Sequence, residues 1–286
     1  MKLNYFEDPS QFYNRVYNYL MREEARHCLL LGIAQTLIDD PQMYDSNVYL
    51  ASVEAGEDVV AVAVMTEPYK LVISCQDLAA IEVIAENLHA QKIQLPGVSG
   101  QIEETLAFAK TWQNLSGQKY QLAMEMQIHQ LQAVKPIVRA KGFLRNATDE
   151  DRTLLLQWVQ EFLIEVFGKD MENTPRFVDS HLKKNTIYIW QDEIPVSFVC
   201  ASGSTPNGKR FGPVYTPSEY RQKGYATSSV ADVSQKYLDM GCQFCFLFTD
   251  LANPTSNYIY RKIGYQPVTD CCEYNFLMQS TVNDAS

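Results

Sequence analysis

The stretch of this chain whose residue types best suit chemistry is Val214-Tyr215-Thr216-Pro217-Ser218-Glu219-Tyr220-Arg221-Gln222-Lys223-Gly224-Tyr225-Ala226. A strand pattern stops at Pro217, a polar turn follows, and small residues open a helix pattern. Gly224 and Ala226 keep side-chain bulk away from the first helical turn, where backbone N–H groups have no intrahelical acceptor. Such a terminus receives an anion, each favourable charge interaction at an exposed helix end being worth about 0.3–1 kcal/mol. Arg221 and Lys223 add two cations beside it. One glycine among basic residues also describes an ordinary surface loop, and these residues alone leave both readings open.

Other chemistry is weaker. Seven cysteines, at 28, 75, 200, 242, 245, 271 and 272, cannot all pair within one chain, and they read as reduced core residues. Cys242-Gln243-Phe244-Cys245 has a C-x-x-C spacing but enters a strand pattern, where positions three apart face opposite ways. None of the four histidines lies near these thiols in sequence, so no metal site is expected. No Ser-His-Asp or Cys-His arrangement emerges. Glu165, Asp170 and Glu172 lie in or after a helix pattern. Each reads equally as a surface carboxylate, so the sequence names no general base.

The elements around that stretch alternate. Polar Asp149-Glu150-Asp151 starts a helix whose apolar stripe is Leu154, Leu155, Trp158, Phe162 and Val166. Thr186–Trp190 and Ile194–Ala201 read as strands about the turn Gln191–Glu193. Arg210–Tyr215 is a strand, Gly224–Met240 a helix, and Phe244–Thr249 an almost wholly apolar strand of the kind buried on both faces. Ser256–Ile263 then reads as a helix, stopped at Gly264, and Val268–Phe276 as a strand. In the first half, Pro9 to Asp39 reads as helical, with Asp8 as cap. Strands follow at Asn47–Ala55, Val59–Met65 and Leu71–Ser74, then a helix at Leu78–His89. The breaker Pro96–Gly100, a helix at Ile102–Leu115 and a strand at Gln118–His129 complete that half.

Both halves contain a strand–acidic turn–strand signature, at Val48–Met65 and at Thr186–Ala201. The repeat suggests a duplicated fold, or two unrelated hairpins that resemble each other. A boundary near Val134 to Phe143 divides the chain into domains 1–135 and 136–286. The fold class is α/β (α+β), a mixed central sheet with flanking helices.

Length and charge agree with two domains: 286 residues exceed the usual 100–150 of one. The formal charge of −10 opposes polyphosphate backbones, so no nucleic-acid partner is expected. The start Met1-Lys2-Leu3-Asn4 has no apolar signal core, and no window holds 18 continuous apolar residues. No membrane association and a cytoplasmic location are the corresponding expectations.

The pattern Arg221-x-x-Gly224-x-Ala226 resembles the acyl-coenzyme A signature of the GNAT acyltransferase superfamily, (Gln/Arg)-x-x-Gly-x-(Gly/Ala), and the following strand, helix and strand keep the family's order. The resemblance covers residues 143–276. It implies that Arg221, Gln222, Lys223, Gly224, Tyr225 and Ala226 hold the coenzyme A diphosphate. It also implies that the strand ending in Val214, Tyr215 and Thr216 pairs with pantetheine and splays from its neighbour to admit the thioester. Asp250 to Tyr265 is similar to the family's second cofactor motif, with Asn253 and Asn257 near the cofactor arm and Tyr260 as the general acid beside the sulfur.

The activity so implied is transfer of an acetyl group from acetyl-coenzyme A to a primary amine of a small molecule by direct attack, a backbone N–H near Val214 or Tyr215 polarising the carbonyl. The two-unit pattern loosely resembles the glycine N-acyltransferase-like and FR47-like branch, with 1–135 a degenerate copy that shapes the acceptor cleft. A coenzyme A-binding sensor without transfer activity is the other reading; monomer and homodimer stay open.

Overall fold

The computed structural model describes residues 1–44, 47–168 and 173–277. In chain order the elements are β1 (Lys2–Tyr5), α1 (Pro9–Leu20), α2 (Cys28–Asp39), β2 (Val48–Ala55), β3 (Asp58–Thr66), β4 (Leu71–Cys75), α3 (Ala79–Ala90), β5 (Gly97–Gln101), α4 (Ile102–Ser116) and β6 (Tyr120–Leu131). They continue as β7 (Phe143–Asn146), α5 (Arg152–Phe167), α6 (Thr174–Lys183), β8 (Ile187–Asp192), β9 (Ile194–Ser204), β10 (Gly208–Tyr215), α7 (Tyr225–Asp239), β11 (Phe244–Asp250), α8 (Pro254–Ile263) and β12 (Gln266–Phe276).

The chain forms two compact units. The first holds Met1–Gln127, Asp250–Ala252 and the C-terminal segment from Thr269; the second holds Ile128–Thr249 and Asn253–Val268. A single cut between 135 and 136 therefore does not describe the division. The C-terminal part of β12 belongs with the first unit: Cys271–Asn275 run antiparallel to Gly97–Gln101 of β5. Burial explains this, because Cys272, Tyr274 and Phe276 on one face of β12 lie in the same core as Val98, Phe108 and Trp112.

In the first unit β1, β2, β3 and β4 pair antiparallel in sequence, and β4 pairs parallel with β5. Alternation along β3 builds a core on each face. Ala61, Ala63 and Met65 join Ile84, Leu88 and Phe108 of α3 and α4, while Val62 and Val64 join Phe12, Val16, Leu31 and Leu37 of α1 and α2. The helix expected over Pro9 to Asp39 is broken by a 3-10 turn at Met21–Glu23. Across the break His27 folds inward, its Nδ1 2.8 Å from the Leu20 carbonyl oxygen. The expected breaker at Pro96–Gly100 is largely strand β5. Its glycines serve close backbone approach, since a Cβ at Gly97 would sit 2.1 Å from the Tyr274 carbonyl oxygen and one at Gly100 2.6 Å from that of Ile73.

The second unit repeats the pattern. β7, β8 and β9 pair antiparallel in sequence, β9 pairs antiparallel with β10, and β10 pairs parallel with β11. On β9, Val199 and Ala201 face the core under α7 and α8, and Phe198 and Cys200 face that under α5 and α6. From β1 to β6 and from β7 to β12 the element order is the same: β-α-α-β-β-β-α-β-α-β. The short strands β1 and β7 and the helix α6 have no counterpart in the sequence reading.

Candidate functional site

β10 and β11 part where the sequence places chemistry. Their parallel ladder runs from Gly208–Phe244 to Phe211–Leu247 and stops, although β10 continues to Tyr215. The other edge of β10 stays attached: Val214 faces Val199 and Tyr215 faces Phe198 on β9. Between Phe211 and Val214, three steps on β10 match two on β9, so β10 carries one extra residue there. The extra residue shifts the alternation of side chains. Phe211 lies in the α7/α8 core and Val214 packs against it, whereas Tyr215 turns into the α5/α6 core.

Beyond Tyr215 the chain makes a 3-10 turn at Ser218–Tyr220 and enters α7. Gln222 and Gly224 have φ of 65° and 81°, the left-handed region, on either side of Lys223. Among the described residues, none of the backbone N–H groups of Gln222, Lys223, Gly224, Tyr225, Ala226 and Thr227 meets an acceptor; the first helical hydrogen bond runs from Ser228 to Gly224, at 3.0 Å. A run of backbone N–H groups without acceptors at a helix N-terminus is a geometry suited to an anion. A Cβ at Gly224 would meet only the Ala140 Cβ, at 3.7 Å, so glycine is required by φ and not by crowding.

The loop is held from several sides. Arg221 donates from Nε to the Thr216 carbonyl oxygen at 2.9 Å and from Nη2 to Glu165 Oε2 at 2.6 Å. Its guanidinium lies 5.8 Å from the Tyr215 ring centroid, and hydrogen bonding to Glu165 raises its pKa further. Lys223 Nζ sits 5.6 Å from the Tyr220 ring. Ser197 Oγ donates to the Tyr215 carbonyl oxygen and lies within 2.9 Å of Thr216 Oγ1. Tyr225 donates to Asp192 Oδ2 at 2.6 Å, which raises the phenol's pKa and lowers that of the carboxyl.

Tyr260, on α8, is 9% exposed and shares its core cluster with Phe211 and Leu247, the last paired residues before β10 and β11 part. Burial pushes its phenol up to about 12, and its ring meets that of Tyr265 edge-on at 5.9 Å. Asn253 caps α8, its Oδ1 accepting from the Ser256 N–H at 3.1 Å. Asn257 lies one turn further on, its N–H reaching the Asn253 carbonyl oxygen at 3.3 Å. On the opposite face of the sheet, Tyr215 donates to Glu161 Oε2 at 3.0 Å, and Gln157 donates to the other carboxylate oxygen at 2.8 Å. Desolvation and Glu161 together push the Tyr215 phenol up to about 12. Glu161 lies beside the apolar stripe of α5 and belongs to no sequence motif, so only the structure brings it to Tyr215.

Among the other candidates, Glu165 faces the loop, and Asp170 and Glu172 lie outside the described residues. Cys242 precedes β11, and Cys245 is buried within it with a thiol pushed up to about 12. Among the described residues no three His, Cys, Asp or Glu side chains gather as a metal ion requires, and no helix is long and apolar enough to cross a membrane.

By element order, the first unit's counterpart of that loop is the β4–α3 connection. There Asp77 Oδ1 accepts the Ala79 N–H at 3.0 Å, so a carboxylate of the chain itself occupies the helix start.

No curated protein matches the chain in sequence. Solved structures match its fold. A Drosophila protein is 12% identical with a TM-score of 0.67, over 96% of this chain and 98% of that one. A GCN5-related N-acetyltransferase from Sphaerobacter thermophilus is 14% identical with a TM-score of 0.60, over 96% and 94%. A tandem GNAT protein from the clavulanic acid biosynthesis pathway is 12% identical with a TM-score of 0.59, over 96% and 98%. At such identities the likeness is one of fold. Residues 152–265, which hold the parted strands, the loop, Glu161 and Tyr260, match the model of the acetyltransferase (GNAT) family. That segment, rather than the whole chain, is what is similar to the acetyltransferase (GNAT) family.

Proposed function

We propose that the chain is an N-acetyltransferase that moves an acetyl group from acetyl-coenzyme A to a primary amine of a small molecule. The observation that carries this reading is the run of acceptor-free N–H groups from Gln222 to Thr227, directly beyond a strand whose ladder to β11 ends at Phe211. A diphosphate supplies the negative oxygens such a run lacks, and the strand from Gly212 to Tyr215 offers backbone groups to an amide-bearing arm. Acetyl-coenzyme A has both parts and supplies an activated carbonyl carbon.

In this reading the amides of 222–227 hold the diphosphate, with Arg221 and Lys223 beside it. Val214, Tyr215 and Thr216 align the arm, and Asn253 and Asn257 support its far side. A backbone N–H near Val214 or Tyr215 stabilises the oxyanion that develops as the amine attacks. Tyr260, protonated at neutral pH, donates a proton to the departing thiolate. The first unit is a degenerate copy of the second, in the manner of the glycine N-acyltransferase-like branch, and the protein acts in the cytoplasm. The shared element order and the self-capped start of α3 support this division of labour.

The test is an assay with acetyl-coenzyme A and longer acyl-coenzyme A donors across a panel of amines, reading free thiol and product mass together. Thiol release matched by acetylated amine is the expected result. Coenzyme A uptake with no acylated amine across the panel leaves a binding protein and removes the transferase.

A further inference from the structure

We propose that Glu161, working with the Tyr215 hydroxyl, is the proton-accepting pair on the acceptor side of the reaction. The inference rests on the transferase reading above. Val214 and Tyr215, adjacent on β10, face opposite sides of the sheet, and the extra residue after Phe211 sets which side each takes. Tyr260 is on the Val214 face, in the core cluster of Phe211 and Leu247. Tyr215 is on the other face, joined at 3.0 Å to Glu161 on α5. A phenol and a phenol–carboxylate pair therefore flank the end of one strand from its two sides, at the place where that strand has no β11 partner.

Two proton transfers are needed, and the two faces separate them. The acceptor arrives as an ammonium ion and must lose a proton before its nitrogen lone pair can attack. The Tyr215 oxygen takes that proton while its own passes along the existing hydrogen bond to Glu161. The nitrogen then bonds to the carbonyl carbon and the carbon–sulfur bond breaks, its electron pair leaving on sulfur. Tyr260 protonates the sulfur and recovers a proton from the new amide nitrogen. The proton on Glu161 is released to solvent, so one proton leaves for each ammonium consumed.

The pair suits this work. Both Glu161 oxygens are fixed, by Tyr215 and by Gln157, and each keeps a lone pair free. The Tyr215 phenol is pushed up to about 12, so it relays a proton and does not rest as phenolate. Glu165 of α5 and Arg221 of the loop are the charged groups facing the pair, and they neutralise each other across 2.6 Å.

The experiment compares native protein with Glu161→Gln and Tyr215→Phe, using an aliphatic primary amine that the native protein acetylates and hydroxylamine, whose nitrogen is already neutral at assay pH. Coenzyme A binding is measured alongside by calorimetry. With the aliphatic amine, Glu161→Gln is expected to lower kcat about a hundredfold, and the remaining rate should rise with pH as free amine appears. With hydroxylamine the loss is expected to stay within about threefold, with coenzyme A affinity unchanged. Tyr215→Phe is expected to follow the same pattern. Equal losses with both acceptors, or no loss with either, would overturn the assignment. Failure of native protein to take up coenzyme A would overturn the transferase reading itself, and is seen before any variant is made.

Discussion

Arg221 and Glu165 are joined at 2.6 Å, so the cation of the anion loop is already paired across to α5. Both side chains are about half exposed, at 42% and 53%, and a solvent-screened pair of that kind is worth roughly 0–1 kcal/mol. A diphosphate therefore displaces Glu165 from the guanidinium at small cost. Arg221→Ala is expected to weaken coenzyme A binding about tenfold, the loss of one charged hydrogen bond, whereas Glu165→Gln should tighten it by up to about threefold. Calorimetric titration of the two variants decides this, and weaker binding in Glu165→Gln would show that the ion pair shapes the loop instead of competing for its arginine.

Gly224 tests the backbone alone. At φ 81° an L-residue loses about 1–2 kcal/mol, yet the nearest atom to a new Cβ is 3.7 Å away. In Gly224→Ala the loop relaxes to negative φ and re-aims its N–H groups. Coenzyme A affinity is expected to fall about tenfold while the melting temperature drops by only a few degrees. A variant that binds as well as native protein would remove the loop from the diphosphate site.

Tyr260→Phe keeps the edge-on contact with Tyr265 and removes one hydroxyl. Because burial holds the phenol near 12, proton donation from it should operate unchanged across neutral pH. Single-turnover thiol release is expected to slow about a hundredfold with coenzyme A affinity intact. Unchanged acyl transfer in that variant would take the proton-donor role from Tyr260.

The first unit carries a pH-sensitive core. His27 Nδ1 donates to the Leu20 carbonyl oxygen, and its Nε2 accepts from Ser74 Oγ at 2.8 Å, which lies 3.0 Å from the Tyr19 hydroxyl. Burial lowers the imidazole from 6.5 to about 4, so the unfolded chain binds the extra proton first. Stability from this group is complete above pH 6.5 and falls as pH drops towards 4, by about 3 kcal/mol in full. Denaturant melts at pH 7 and pH 4.5 should show the loss in native protein and a flatter profile in His27→Gln. Equal slopes in both would place the acid sensitivity elsewhere.

Local chemistry was legible in the sequence, and long-range pairing was not. Pro217, Gly224 and Ala226 marked a turn from strand to helix, although such residues also describe an ordinary surface loop, and β11 and α8 were marked by unbroken apolarity and by a glycine-stopped helix. β5 was misread because Gly97 and Gly100, which punctuate a loop in most sequences, here admit the backbones of Tyr274 and Ile73. The C-terminal strand's place beside β5 depends on register between distant segments, which periodicity does not encode. The Tyr215–Glu161 bond stayed hidden because one extra residue in β10, invisible in the sequence pattern, decides which face Tyr215 takes.

The most direct measurement is a calorimetric titration of native protein with coenzyme A, repeated with desulfo-coenzyme A and with pantetheine, which lacks the diphosphate. One equivalent is expected to bind, because the second unit's loop offers free amides and the first unit's helix start is filled by Asp77. Desulfo-coenzyme A should bind similarly and pantetheine far more weakly. No uptake of coenzyme A, or equal binding of pantetheine, would contradict the account.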